Sequence, residues 1–225
     1  MHNLLALQEH FKTILDKIDE AGFHHFFETR ESIDFYEAAQ ETDAIDNIYF
    51  DCGSTRAVFW ESDFPYVIKI PFFSEKNRDY CKVEVENYKA AELFLVEDCF
   101  AWCEFLFTYH DCPIYVMEKA ICDEENISDC AYSASLKWAL SEEGISEEEN
   151  PEEYGFFCEN FSSNYFNWES DSQMDSYIEE EWGFEKARAF NDFCFEVGIN
   201  DRHTGNWGHI DGRLVMVDYS GYYGI

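Results

Sequence analysis

The hydrophobic period of this chain changes near residue 46, and that change limits it to folds that combine helices with a sheet. Before it, Leu4, Leu7, Phe11, Ile14, Leu15 and Ile18 recur at helical spacing with charges between them, which predicts an amphipathic helix over 3–20. A second helix is expected near 31–41. From Ile48 the pattern is that of strands. Ile48-Tyr49-Phe50 leads into a turn at 51–55, a strand follows at 56–60, a turn at 61–65, and a further strand at 66–70 that Pro71 ends. Residues 78–95 have few breakers and predict a helix. Apolar runs at 100–109 and 114–118 flank Asp111-Cys112-Pro113 and predict a hairpin. The expected order is strand, strand, helix, strand, strand. Residues 184–197 return to a helical pattern that Gly198 stops. A polar loop at 200–206 precedes a last hairpin, with Asp211-Gly212 at its turn and 214–217 as its second strand. The class is α+β, with three segments expected: a helical extension at 1–45, a sheet with one helix at 46–118, and a remainder at 119–225.

The chain can afford a packed core. Of 225 residues, 46% are hydrophobic and 19% aromatic, enough apolar surface to offset ordering entropy in one domain or two small lobes. The net charge of −33 bears on partners rather than fold. It argues against direct nucleic-acid binding, because phosphate contacts need lysine and arginine. It fits a basic protein substrate or target, or imitation of nucleic-acid charge; a solvated acidic surface is the plainer alternative. Acid concentrates in 121–185, which holds nineteen Asp and Glu against one basic residue, Lys137. The aromatic content of that stretch predicts a helical insert rather than a linker, with 142–153 as its most loop-like part. Nine cysteines, an odd count with no CxxC pair, are expected to be reduced thiols in a cytoplasmic protein. The opening residues gain charge too early for a signal peptide. No window approaches the ~18 apolar residues of a membrane span, so no membrane association is expected.

Four pieces in fixed order carry chemistry. Lys69 ends the apolar strand Val67-Ile68-Lys69-Ile70. Glu84 and Glu86 lie in the following helix, and either can reach back to pair with Lys69 and hold its ammonium for nucleotide phosphates. In Asp201-Arg202-His203-Thr204-Gly205-Asn206, an aspartate and an asparagine stand five apart in a loop just after a helix, the spacing of a kinase catalytic loop. Asp201 would accept the proton of an attacking hydroxyl, and the Asn206 amide oxygen would bind Mg²⁺. Asp218 follows Asn206 by twelve residues and closes the run Leu214 to Val217, where a carboxylate suits a metal held between phosphates. Taken singly, each has a plainer reading: an edge lysine, a solvated helix charge, a turn cap.

The loop Asp201–Asn206 resembles the D-x-H-x-G-N loop of aminoglycoside and choline phosphotransferases and of small kinase-like proteins from bacteria and phages. Val217-Asp218-Tyr219-Ser220-Gly221 resembles their metal-binding segment, with Tyr219 where protein kinases carry Phe. Tyr115-Val116-Met117-Glu118-Lys119-Ala120 is similar to the hinge that meets adenine. The resemblance implies Met117 as gatekeeper, with the Glu118 carbonyl and Ala120 amide toward the base, and it favours Glu84 over Glu86 as the partner of Lys69. It covers roughly 46–225. The fold it implies is a protein-kinase-like bilobal one with a truncated C-lobe, binding ATP and Mg²⁺ through Gly53, Lys69, Glu84, Met117, Glu118 and Ala120, with Asn206 and Asp218 on the metal.

Three departures from the pattern stand out. Gly53 is the only glycine of the phosphate loop, Ile199 replaces the histidine that steadies the protein-kinase loop, and the sequence has seven residues after Asp218, so neither an activation segment nor substrate-binding helices are expected. Two readings of function follow. One is an ATP- and Mg²⁺-dependent phosphotransferase, with a protein acceptor slightly favoured over a small molecule. The other is a weak or inactive kinase fold that acts as an acidic binding or inhibitory protein against a basic or nucleic-acid-binding factor.

Overall fold

A computed structural model describes residues 2–42, 45–73, 79–164 and 174–221. The chain is α+β and divides into two compact units, Met1–Ala90 with Ala101–Lys119, and Ala91–Phe100 with Ala120–Ile225.

In the first unit α1 (Leu4–Ile18) starts at Asn3, whose side chain accepts from the Ala6 amide, and turns Leu7, Phe11, Ile14, Leu15 and Ile18 inward. A π turn, Asp19–Phe23, kinks the chain into α2 (His24–Thr29), and α3 (Ser32–Glu41) follows. These helices share one core with the sheet: Phe11, Phe23, Phe26, Phe27 and Phe35 pack with Ala57, Phe59, Ile68, Ile70, Ile114 and Val116. Full burial of each phenyl ring contributes roughly 1.5–3 kcal/mol.

The sheet has five antiparallel strands in the order β1-β2-β3-β5-β4. They are β1 (Ile48–Cys52), β2 (Arg56–Glu61), β3 (Tyr66–Pro71), β4 (Cys103–Tyr109) and β5 (Cys112–Glu118). Three strands, not two, precede the helix α4 (Tyr80–Phe94), because Asp51 and Cys52 stay in register opposite Val58 and Ala57 instead of turning. The β4–β5 turn is also displaced from the expected Asp111-Cys112-Pro113. It is the two-residue turn His110-Asp111, both at positive φ, which matches strand twist. Pro113 is tolerated within β5 because the last β3 partner is opposite Tyr115, two residues on, so no ladder bond toward β3 is lost.

Alternation along β2 and β3 sorts their side chains by face. Ala57, Phe59, Ile68 and Ile70 enter the aromatic core, while Arg56 and Lys69 project from the opposite face and bond to α4. Asp79 sets the start of that helix: its Oδ1 accepts from the Lys82 amide at 3.0 Å and its Oδ2 from the Tyr115 hydroxyl at 2.5 Å. This ties the first turn of α4 to β5.

In the second unit the described residues of the acidic stretch form three helices, α5 (Glu124–Glu143), α6 (Pro151–Asn164) and α7 (Asp175–Trp182), while 165–173 of the expected helical insert lie outside the described residues. The expected loop at 142–153 shrinks to 144–150, since Gly144 in the left-handed conformation ends α5 and Pro151 opens α6, where its missing N–H has no cost. Then α8 (Phe184–Val197) stops at Gly198, and β6 (Trp207–Ile210) pairs with β7 (Arg213–Met216) through an Asp211-Gly212 turn, both residues at positive φ. Phe100 lies among Phe190, Phe193 and Tyr219, with the Tyr219 ring edge-on at 4.9 Å. Gly221 has φ +70, and a Cβ there would stand 2.5 Å from the Gly198 carbonyl oxygen, so only glycine fits. Among the described residues no helix is long and apolar enough to cross a membrane.

Candidate functional site

Lys69 and Glu84 meet in the first unit. The Lys69 ammonium donates to Glu84 Oε2 at 3.1 Å and Oε1 at 3.2 Å, with Lys69 7% and Glu84 1% exposed. Glu86 does not compete. It faces outward and pairs with Lys82, four residues earlier on the same helix. A third residue, absent from the sequence reading, joins them. Arg56 is 4% exposed, donates to Glu84 Oε1 at 2.5 Å and to Thr55 Oγ1 at 3.1 Å, and thus makes Glu84 a carboxylate shared by two cations. Its signal was a charged residue heading the apolar run Ala57-Val58-Phe59-Trp60, on the strand that pairs with β3. Such a buried arrangement holds only because each charge is paired and hydrogen-bonded. Cys81, one turn before Glu84, is fully buried, and burial pushes its thiol up against the pull of Arg56. Burial likewise raises Tyr115, opposite Lys69 in the ladder, and its bond to Asp79 adds to the rise.

The other first-unit candidates divide. Gly53 sits in the exposed β1–β2 turn, its amide donates to the Arg56 carbonyl at 3.1 Å, and a Cβ there would meet nothing within 4 Å. That amide is spent within the turn, so Gly53 offers no donor to a phosphate. Met117 is buried in β5 between Val67 and Cys103. Glu118 ends β5. Its amide donates to the Trp102 carbonyl at 2.9 Å, and its carboxylate accepts from the Trp102 amide at 3.1 Å. Ala120 opens the second unit's main segment, just before Ile121 pairs with His209.

The second unit brings Asp201, Asn206 and Asp218 together through the backbone. Asn206 is buried, and its Nδ2 donates to the Asp201 carbonyl at 2.8 Å. That bond fixes the orientation of the carboxamide, because only the nitrogen can donate, and it leaves Oδ1 as the side chain's acceptor. The Asn206 carbonyl accepts from the Val217 amide at 2.8 Å and the Asp218 amide at 3.5 Å, which anchors the segment after β7 to the loop. Asp218 is half-buried, and its Oδ1 accepts from the Ser220 hydroxyl at 3.2 Å.

His203 lies on the outer side of this loop. Its Nδ1 accepts from the Gly205 amide at 3.1 Å, so the proton is on Nε2, which faces Asp201 Oδ1 at 3.6 Å. Further side chains hold the loop from outside it. Arg202 donates to Asn191 Oδ1 on α8 at 2.5 Å, the Trp207 indole donates to the Arg202 carbonyl at 3.2 Å, and Ser128 on α5 donates to Thr204 Oγ1 at 3.0 Å. None of these anchors was read from the sequence; those to Asn191 and Ser128 span elements whose adjacency only the fold creates.

The donor set suits magnesium. Asn206 Oδ1 and the Asp218 carboxylate are hard oxygen ligands of the kind that accompany phosphate oxygens on Mg²⁺. Asp201 is partly exposed. No protein-family model and no curated protein matches this chain.

Proposed function

We propose that this protein is an ATP- and Mg²⁺-dependent phosphotransferase with a protein-kinase-like bilobal fold. The observation that carries the reading is the Asn206 hub: one residue whose side chain braces the Asp201 backbone and whose carbonyl holds the Asp218 backbone. These bonds support the reading because they tie the proposed metal pair, Asn206 and Asp218, to the proposed proton acceptor, Asp201. The buried Lys69–Glu84 pair supports it, as an ammonium held in place for phosphate contact. Asn206 and Asp218 would hold Mg²⁺, which offsets phosphate charge, and Asp201 would accept the proton of the acceptor hydroxyl. Catalysis of this type rests on positioning and charge neutralisation rather than covalent chemistry. Met117, Glu118 and Ala120 are the proposed adenine contacts. Gly53, with its amide bonded to Arg56, is the weakest member of the proposed set. A protein with exposed hydroxyls is the favoured acceptor, and a basic one suits a chain of charge −33.

The test is incubation with γ-labelled ATP and Mg²⁺, followed by detection of label in the protein itself and in added basic proteins. Wild type is expected to transfer label and Asp201→Asn to lose transfer. Absence of transfer from wild type with every acceptor tried counts against the enzyme reading.

One observation favours a second reading, a kinase-like scaffold that binds a basic factor. The helices α5, α6 and α7 carry most of the charge of 121–185, and Glu124, Glu125, Glu142, Glu143, Glu152, Glu153, Glu179 and Glu180 are all exposed. That surface needs no turnover to act.

A further inference from the structure

Away from the phosphotransfer residues, the first unit brings together a second group of side chains with metal-ligand chemistry. Asp19, His24 and His110 each offer a ligand atom, and these atoms lie within 4.8 Å of one another. His24 Nδ1 is 2.9 Å from Asp19 Oδ1, and His110 Nε2 is 3.5 Å from Asp19 Oδ2. A tetrahedral ion with bonds near 2.05 Å requires neighbouring ligand atoms about 3.3 Å apart, and each histidine already stands within about 0.4 Å of that spacing from Asp19, one from each carboxylate oxygen.

We infer that Asp19, His24 and His110 form a binding site for a borderline divalent transition cation, of which Zn²⁺ is the reference case. Two imidazoles and one carboxylate are a donor set for zinc, cobalt, nickel or copper, whereas magnesium and calcium take oxygen ligands. Three protein ligands leave a fourth position to water.

The chain is shaped around this group. Asp19 and His24 are five residues apart, a spacing that an α-helix does not align. The kink between α1 and α2 does, because Gly22 at φ +123 breaks the helical course between them and His24 Nδ1 comes to 2.9 Å from Asp19 Oδ1. His110 arrives from the other side, at φ +44 in the β4–β5 turn, where glycine or asparagine is the relaxed choice. Outer partners orient the ligands. The Glu28 carboxylate lies 3.4 Å from His24 Nε2, the nitrogen opposite the proposed bond, and the Tyr109 hydroxyl donates to Asp16 Oδ1 at 3.0 Å and Asp19 Oδ2 at 3.5 Å. A carboxylate on the far nitrogen of a metal-bound histidine is the usual orienting device of such sites. The ion would clamp the π turn and α2 to the β4–β5 hairpin. His24 and His110 are exposed, which suits a structural clamp rather than a catalytic centre.

The test uses the untagged full chain with Co²⁺ as the spectroscopic probe and Zn²⁺ as competitor. One equivalent of Co²⁺ is expected to give visible ligand-field bands without thiolate charge-transfer absorption, to be displaced by Zn²⁺, and to raise the melting temperature. Asp19→Asn, His24→Ala and His110→Ala should each weaken binding at least tenfold, Glu28→Gln about tenfold. His25→Ala, a neighbouring exposed histidine outside the group, should leave it within twofold. Zinc-edge X-ray absorption on wild type should count two imidazoles, a readout that needs no variant to fold. The proposal is overturned by absence of binding, by thiolate bands, by fewer than two imidazoles, or by affinity that the three substitutions leave unchanged.

Discussion

The side-chain amide of Asn206 donates to the main-chain carbonyl of Asp201 at 2.8 Å, while its own carbonyl accepts from the amides of Val217 and Asp218. The consequence is a division of labour within one residue. The nitrogen and the main-chain carbonyl are structural, and Oδ1 is the atom proposed for the metal. Asn206→Asp keeps an oxygen for the metal but loses the donor to the Asp201 carbonyl. Asn206→Ala loses both. If the hub works as described, Asn206→Asp should retain Mg²⁺-dependent nucleotide binding and lose transfer by about 10²-fold or more, since the proton acceptor is no longer held in place. Asn206→Ala should lose both. Nucleotide affinity measured with and without Mg²⁺ separates the two, and equal behaviour of both variants would sink the argument.

The shared carboxylate of Glu84 makes an asymmetric prediction. Glu84→Ala removes the partner of two buried cations and should cost about 3–5 kcal/mol, the range for breaking a buried pair from one side. Lys69→Met keeps the volume of the stem and leaves Glu84 its bond to Arg56, so its cost should be clearly smaller. Urea unfolding of the two variants checks the order. A Lys69→Met variant as unstable as Glu84→Ala would mean that Arg56 does not hold the carboxylate on its own.

Buried thiols set an alkaline limit. Burial pushes Cys112 up to about 11 and Cys99 and Cys194 up to about 12, each from an ordinary value of 9.0. Between those values the unfolded chain has released protons that the folded chain keeps, so the folded state binds more protons and stability falls as pH rises. Well below pH 9 these thiols contribute little slope. The urea midpoint should therefore hold steady between about pH 7 and pH 8 and drop by about pH 10. Replacement of Cys112 by alanine should reduce that drop.

What was legible in the sequence was whatever depends on local spacing. The Asp201–Asn206 loop and the stop at Gly198 follow from order and residue type, and so does the Asp211-Gly212 turn. Errors arose where turn-prone residues were held in ladders by partners distant in sequence. Asp51 and Cys52 stay extended because Val58 and Ala57 lie opposite them, and Cys112-Pro113 stays in β5 because His110-Asp111 already makes the turn. Arg56 escaped notice for the same reason. Its role depends on facing α4 beside Lys69, and facing is a property of register, not of composition. The aromatic core was visible only as abundance. That Phe11, Phe23 and Phe35 of the helical segment pack on Phe59 and Ile68 of the sheet needed the fold.

The acidic helices predict salt dependence for any partner they recruit. Screening shortens from about 8 Å at 0.15 M to about 3 Å near 1 M, so contacts between exposed charges fade while apolar contacts persist. A basic protein captured at low salt should be released at high salt. Neutralising Glu142, Glu143, Glu152 and Glu153 together should weaken capture without changing the urea midpoint, because exposed single charges carry little stability. Capture that survives high salt would place the interface on apolar surface instead.

Nucleotide binding offers the sharpest separation between the two readings of function. A ligand that binds only the folded state adds about 2.7 kcal/mol at 100 times its Kd. For a chain of this size ~1 kcal/mol moves the midpoint by about 2–4 °C, so ATP with Mg²⁺ should raise the melting temperature by several degrees. Asp218→Ala should abolish the magnesium-dependent part of that rise, because the metal loses its carboxylate. Asp201→Asn should keep the rise and lose transfer by about 10²–10⁴-fold, because Asp201 acts on the acceptor and not on ATP. Lys69→Met should weaken ATP with or without magnesium, since its contact is with phosphate. A scaffold that only binds a basic partner would show none of these shifts while retaining salt-sensitive capture. A nucleotide-binding scaffold without turnover would show the shifts in wild type and Asp201→Asn alike, with no label transferred by either.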